Sequence, residues 1–531
     1  MSCGDIPDGL TTTEEQGEAL MPRKKKVQRV DKSLCQKCKE SKSMYIIRNV
    51  TYCKTCFEVS VFTRFTRTLH PILKTEAAGV RDKEGKKARI ALNQGGTRPN
   101  PTNGSVVVGL SGGASSMTLL DLLVDKEYIG KGDDKVIDRT KGEKQPVWNK
   151  GYIVHVDFSD LIEDTHTSSP DRSEVLKQWI EGKENGLVWI GLKAHDVYDA
   201  NLTNKIRRIA GLPETQEDAS SGLKVDLKNP DLPLFPIPSS SSSTPTPLAQ
   251  LRTILATLPP ASRPSFLSSI LDSLIGTAAE IIPSVSHVLL GETSTRQAQR
   301  LISGTALGKG YTLPLELAVT NKPMCNAKYT ILKPMKEITI KEVAIYTHLK
   351  GLNGVVRNDR KWDYSGPISK KDSRGKDHTR SLESLTEQFI ASLGVTHPAT
   401  VSTINRTGDK LTFTGEKEKG VSCPVCQMPV DPNALEWKSR TALTALPEKT
   451  QTDHERNGTN AELDEKDSLA TMLCYACLTT FTPPTVVSKA VKQETTPVRL
   501  PLWVEQNLRR RKEVDRDGMR DEIKDFLIGE E

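Results

Sequence analysis

The sequence is short of aromatic residues and has no long apolar run. Aromatics make up 5% of the 531 residues and hydrophobic residues 36%, against 27% charged. A core so poor in rings has to share the chain with long solvated segments. No stretch approaches the roughly 18 apolar residues of a membrane span, so no membrane partner is expected. Met1 to Gln16 lacks the basic, apolar and small-residue regions of a signal peptide, which points to the cytosol. Cysteine is scarce as well: there are ten, and Cys325 alone lies between Cys56 and Cys423. A reducing compartment disfavours disulfides, leaving metal binding or catalysis as the use for these thiols.

What is present is modular. Residues 1–30 read as a disordered arm, 31–75 as a cysteine ribbon with a helix, and 76–100 as a charged linker. Residues 101–354 alternate short Val/Ile runs with helical apolar spacing, the pattern of a parallel sheet covered by helices. Strands are expected at Ser105 to Leu110, Tyr152 to Phe158 and Val285 to Leu290, and helical patterning runs from Leu248 to Ile282. A Ser/Thr/Pro-rich stretch at about 220–247, including Ser239 to Ser243, reads as a loop inserted in this domain. Residues 355–420 read as a polar connector and 421–500 as a second ribbon with an acidic insert at about 448–467. The charged end, 501–531, reads as helical.

The cysteine spacing is the strongest chemical signal. Cys35-x2-Cys38 precedes Cys53-x2-Cys56 by fourteen residues, with a hairpin expected around Arg48-Asn49. Cys423-x2-Cys426 and Cys474-x2-Cys477 repeat the knuckles with forty-seven residues between them. Four thiolates so spaced can surround one zinc ion, which supplies folding energy that a small ribbon lacks. A redox dithiol is the rival reading. Thioredoxin-like chemistry would need the motif to open a helix directly after a strand, and neither set reads that way. Cys3 and Cys325 read as inert.

Val106 to Leu110 runs into Ser111, Gly112, Gly113, Ala114, Ser115 and Ser116, and a helix follows at once. Backbone amides in such a turn hold phosphate or another anion. The Walker lysine is missing, which excludes a kinase-type loop. His155 and Asp157 sit where open α/β sheets bind ligands, or are ordinary strand-end polar residues. The net charge is +7, and Arg23 to Lys26, Lys83 to Arg89, Arg509 to Lys512, and Arg64 with Arg67 are either phosphate contacts or solvated surface.

The loop resembles the pyrophosphatase loop of the N-type ATP pyrophosphatases, Ser-Gly-Gly-x-Asp-Ser, with Ser115 in place of the aspartate. That exchange removes a carboxylate suited to placing Mg²⁺ and argues against ATP turnover. Taken with the first cysteine set, His155-Val-Asp157, Leu289 to Arg296, and Cys474 to Cys477, the chain resembles the cytoplasmic tRNA 2-thiolation protein 2 family.

The resemblance implies an α/β, Rossmann-like PP-loop core (adenine nucleotide alpha hydrolase-like) flanked by N- and C-terminal zinc ribbons. It also implies a heterodimer with a catalytic sister subunit, tRNA binding, and sulfur from a thiocarboxylated ubiquitin-related modifier, delivered to C2 of uridine 34 in tRNAs for Lys, Glu and Gln. A role in attaching that modifier to proteins goes with it. Catalytic relatives carry two cysteines in this domain and a Gly-His-Asn-x-x-Asp-like segment. This chain has Cys325 alone and reads Gly291-Glu292-Thr293-Ser294-Thr295-Arg296. No catalytic residue is therefore assigned to it. The alternatives are a self-sufficient sulfurtransferase using Cys325 and a zinc-stabilised adaptor.

Overall fold

Arg48 and Asn49 set the shape of the first unit. Both have positive φ, 49° and 67°, the backbone of a two-residue turn whose twist suits a hairpin. They join β1 (Tyr45–Ile47) to β2 (Val50–Tyr52) in antiparallel register, Tyr45 opposite Tyr52. The structure, a computed structural model, describes residues 33–78, 104–130, 146–161, 172–182, 186–215, 222–229, 231–237, 245–323, 327–356, 381–415, 421–441, 468–482 and 497–511. Two compact units divide the chain, Met1–Ser60 and Val61–Glu531. The division falls inside helix α1 (Lys54–Ala78) rather than near residue 75.

In the second unit Val61, Phe65, Leu69 and Leu73 recur at four-residue spacing along α1 and are buried. The central sheet is built from β3 (Ser105–Gly109), with α2 (Ala114–Asp125) after it, β4 (Lys150–Asp157), then α3 (Arg172–Glu181), and β5 (Val188–Lys193), then α4 (Leu202–Ile209). Val106, Val107 and Val108 are completely buried, as a strand covered on both faces requires.

The 220–247 stretch departs from the expected loop. Residues of β6 (Leu223–Val225) and β7 (Leu234–Pro236) pair antiparallel, and Leu232 is fully buried. Ser239 to Ser243 lies outside the described residues. The Leu248 to Ile282 pattern is two helices, α5 (Pro247–Thr257) and α6 (Arg263–Ile281). They part at Pro259-Pro260 because proline lacks the N–H a continuous helix needs.

The sheet continues with β8 (Val285–Leu290), α7 (Ser294–Ala306), α8 (Leu313–Leu317), β9 (Thr320–Asn321), β10 (Thr330–Leu332) and α9 (Ile340–Leu349). Its strand order is β5-β4-β3-β8-β10-β9, all parallel except β9. The α/β parallel-sheet class is thus the observed one.

The 355–420 stretch is more ordered than a polar connector. It contains α10 (Leu382–Thr396) and α11 (Pro398–Gly408), whose Ile390 and Val401 are buried together with Ala298 of α7. Then follow α12 (Ala434–Thr441), α13 (Tyr475–Phe481) and β11 (Val498–Arg499), which completes the small sheet beside β6. Residues 502–511 are helical. Phe266 of α6 meets Phe481 edge-on at 5.7 Å and Trp503 in a tilted contact at 6.1 Å. Cys423, Val425, Cys474 and Cys477 share one buried cluster with residues of the main sheet. The second cysteine set therefore packs directly on the large unit's core. The arm, the linker beyond Ala78 and the acidic insert lie outside the described residues.

Candidate functional site

Both cysteine sets converge. The sulfurs of Cys35, Cys38, Cys53 and Cys56 lie within 4.8 Å of one another, and so do those of Cys423, Cys426, Cys474 and Cys477. Cys38 Sγ is 3.9 Å from Cys53 Sγ, and Cys426 Sγ is 3.6 Å from Cys474 Sγ. With metal–sulfur bonds near 2.3 Å, the edge of a sulfur tetrahedron is about 3.8 Å. The spacing fits one ion among four thiolates. It is too close for a cluster in which each cysteine caps a different iron.

The two knuckles share a backbone. Lys39 and Gln427, each following its second cysteine, have φ of 61° and 57°. Their N–H groups donate to Cys35 O and Cys423 O, both at 2.8 Å. One expectation is corrected here: Cys53 follows β2 directly and Lys54 opens α1, so this motif does start a helix after a strand. The four-sulfur convergence, not the helix, separates it from a redox dithiol. Cys56 is pushed up to about 12, by burial first and then by its thiol neighbours. Cys426 and Cys477 are raised as well, chiefly by hydrogen bonding with the other thiols and further by burial. A dication allows all four thiols of a set to ionise together.

The glycine loop leaves the carboxyl end of β3, between β4 and β8. Leu110 N–H donates to Val154 O at 2.9 Å, and Gly112 turns the chain at φ +71°. A Cβ on Gly112 would lie 2.8 Å from Leu176 and 2.9 Å from Arg172, flexible side-chain ends that can shift, so it is the left-handed backbone that favours glycine here. Ser111 Oγ and Ser116 Oγ are 3.1 Å apart. Ser116 Oγ donates to Gly113 O, and Gly113 N–H donates to Ser111 Oγ. Ser115 lies in the first turn of α2, half-buried. Gly291 fits against this turn, since a Cβ there would be 2.8 Å from Ser116 Cα.

Of the other candidates, His155 is buried, stacks on Trp189 and has Nδ1 2.7 Å from Leu110 O. Asp157 accepts from the N–H and hydroxyl of Ser159. Arg64 pairs with buried Glu342, and Arg67 Nε donates to Glu337 at 3.1 Å. Arg64 thus ties α1 to α9, while Arg67, paired with Glu337, keeps an exposed, solvated side chain. Arg511 donates to Met472 O, and Arg510 lies 3.5 Å from Glu280. Lys512, Arg23 to Lys26, Lys83 to Arg89, Cys3 and Cys325 lie outside the described residues.

Glu292, just past β8, is where sequence reasoning fell shortest. It is 2.6 Å from Arg300 and 3.0 Å from Lys333, and is buried with the lysine. Burial works to raise its pKa, but Arg300 and Lys333 outweigh burial and hold it at about 2. Thr293 caps α7, Ser294 donates to Ile338 O, and Thr295 accepts from Ile340 N–H. The Gly291–Arg296 segment thus joins two helix starts, and its one acid, Glu292, is engaged by Arg300 and Lys333.

The family model for cytoplasmic tRNA 2-thiolation protein 2 matches residues 381–479. Proteins of that name are similar over part of the chain. The one from Drosophila persimilis is 28% identical, covering 39% of this chain and 48% of the relative. Those from Drosophila melanogaster (29%; 43% and 53%) and Drosophila mojavensis (30%; 41% and 52%) are alike. The chain spans about half the length of the curated relatives it matches. Among solved structures, the U34-tRNA thiolase NcsA from Methanococcus maripaludis with its 4Fe-4S cluster is similar at 16% identity. Its TM-score is 0.40, over 79% of this chain and 99% of that one.

Proposed function

We propose, from its similarity to the cytoplasmic tRNA 2-thiolation protein 2 family, that this chain acts in the cytosol as the supporting subunit of a tRNA thiolation complex. The complex places sulfur on C2 of the wobble uridine, and a sister subunit of the same fold performs the chemistry. The sulfur donor is a thiocarboxylated ubiquitin-related modifier, and the acceptors are the tRNAs for Lys, Glu and Gln.

One observation carries this reading. The loop after β3 turns tightly into a helix, as an anion cradle would, yet its side chains are hydroxyls, while Glu292, just past the end of β8, is tied to two cations. Adenylating a base requires Mg²⁺ to be placed on the phosphates, and a hydroxyl at Ser115 is a much weaker ligand than a carboxylate. Carrying sulfur by a thiol pair is closed to the α/β domain, since the sequence holds Cys325 alone between Cys56 and Cys423.

Zinc is the ion proposed for both cysteine sets. Four thiolates leave it no open position, so it would contribute folding energy and a fixed cross-link rather than a Lewis acid. The ribbons and the basic segments then serve tRNA docking.

The test is to measure AMP release and tRNA binding by the purified chain, alone and with its sister subunit. The proposal expects no AMP from the chain alone and tight tRNA binding in the pair. AMP formation by the single chain would support an enzyme in its own right. Failure to bind tRNA in either form would support an adaptor.

A further inference from the structure

The second cysteine set borders a cavity of about 120 Å³ between α6, the ends of β8 and β10, and the knuckle Val425–Pro429. Cys426, Lys309, Glu316, Arg300, Glu292 and Lys333 line it. Four thiolates around a divalent ion carry a net charge of −2, and placing that charge beside a protein core is costly without a counter-cation.

The turn after α7 is built to bring one. Gly308, at φ +77°, lies so close to the ring of Tyr475 that a Cβ would stand 2.4 Å from Cε1, and Tyr475 is the residue next to Cys474. This contact docks the turn on the metal-binding helix α13, with Lys309 beside it. The Lys309 ammonium lies 3.4 Å from Glu316. Its pKa is held above the ordinary lysine value, foremost by Glu316 and further by Cys426 and Cys477.

We propose that Lys309 is the counter-cation of the C-terminal four-cysteine centre. It belongs at the same time to the charge chain that runs through Glu316 and Arg300 to Glu292 and Lys333 at the sheet end. Lys309 acts as a positioning residue that touches no substrate: it steadies the thiolates against protonation and metal loss. The inference rests on reading this cysteine set as a zinc site.

The full chain, loaded with zinc, is mixed with a chromogenic chelator, and both the metal content and the release kinetics are recorded. Two zinc ions per chain and two release phases are expected. Lys309→Gln should accelerate one phase on the order of tenfold, the usual effect of removing a group that supports metal ligands, and leave the other phase unchanged. Lys309→Arg should stay close to the parent chain. Glu316→Gln, which releases Lys309 toward the sulfurs, should not accelerate that phase.

Cadmium-113 resonances of the substituted protein give a second readout. One of the two should move in Lys309→Gln and return in Lys309→Arg. A Lys309→Gln chain that holds two zinc ions and loses both at parental rates overturns the role of Lys309. A parent chain that holds no metal at Cys423, Cys426, Cys474 and Cys477 overturns the zinc reading itself.

Discussion

The two four-cysteine centres have the same knuckle and opposite surroundings. Around Cys35 to Cys56 the first unit offers one short hairpin, a few buried side chains such as Ile47, Tyr52 and Phe57, and the Tyr45–Phe57 ring contact at 5.5 Å. Around Cys423 to Cys477 the chain packs Val425, Leu478, Phe481, Trp503 and Phe266. Trp503 Nε1 and Asn507 Nδ2 also donate to the carbonyls of Val425 and Pro424. In the first unit a metal would have to create the fold, because so little apolar area is buried. In the second it would join segments that a hydrophobic core already holds. The same sulfur geometry therefore has a different energetic meaning in each place.

The largest expected effect breaks that comparison or upholds it. Cys53→Ser should remove a binding free energy on the order of 10 kcal/mol from the first unit, and amide exchange across residues 44–52 should become unprotected. Cys477→Ser should open residues 421–430 and 475–481 while β3, β4 and β8 keep their protection. Equal responses of the two centres would contradict the account.

Next in size is Glu292→Gln, which leaves Arg300 and Lys333 facing each other without their carboxylate. It should cost the large unit about 3 kcal/mol in chemical denaturation at neutral pH and leave the first unit unaffected. The folded-state value of about 2 lies below the ordinary glutamate value of 4.5. The stabilisation is therefore complete above about pH 4.5 and lost as pH falls toward 2.

Glu505 should show the opposite slope. It is buried, accepts from Leu223 N–H at 2.8 Å, and is raised to about 7, foremost by burial. A folded value above the unfolded one means that the native state holds the extra proton. Stability then falls as pH rises from about 4.5 to about 7. Glu505→Gln should gain roughly 1–2 kcal/mol above pH 7 and almost nothing near pH 4, as followed by denaturant midpoints across that range.

The smallest effect is a matched pair. Lys39→Gly and Gln427→Gly each relieve a positive φ at the cost of a more flexible unfolded chain, so stability should change by no more than about 0.5 kcal/mol. Similar responses in calorimetry would show that the knuckles are equivalent and that the difference lies around them.

The legible parts of the molecule were those written locally. Val106 to Val108 reads as a buried parallel strand, Ser111 to Gly113 as its turn, and the four Cys-x2-Cys motifs as two sets that come together, because each signal lies within a few residues. Gly291 was noticed within a segment, but its reason, the close approach to Ser116, appears only in three dimensions. The β6–β7 pair escaped notice because its strands have three residues each and its third member, β11, comes from the far end of the chain. The charge chain from Lys309 to Lys333 escaped for a related reason: charged residues at scattered spacing look like solvent-facing surface until the fold brings them together. Arg64 could be read as a phosphate contact or as solvated surface because its partner Glu342 is remote in sequence.

The central claim is that this chain serves the 2-thiolation of wobble uridine. Nucleoside mass spectrometry of bulk tRNA from cells lacking the chain tests it most directly. The account predicts that 2-thiouridine at position 34 falls to a small fraction of its normal level and returns when the chain is restored. An unchanged 2-thiouridine content would contradict it.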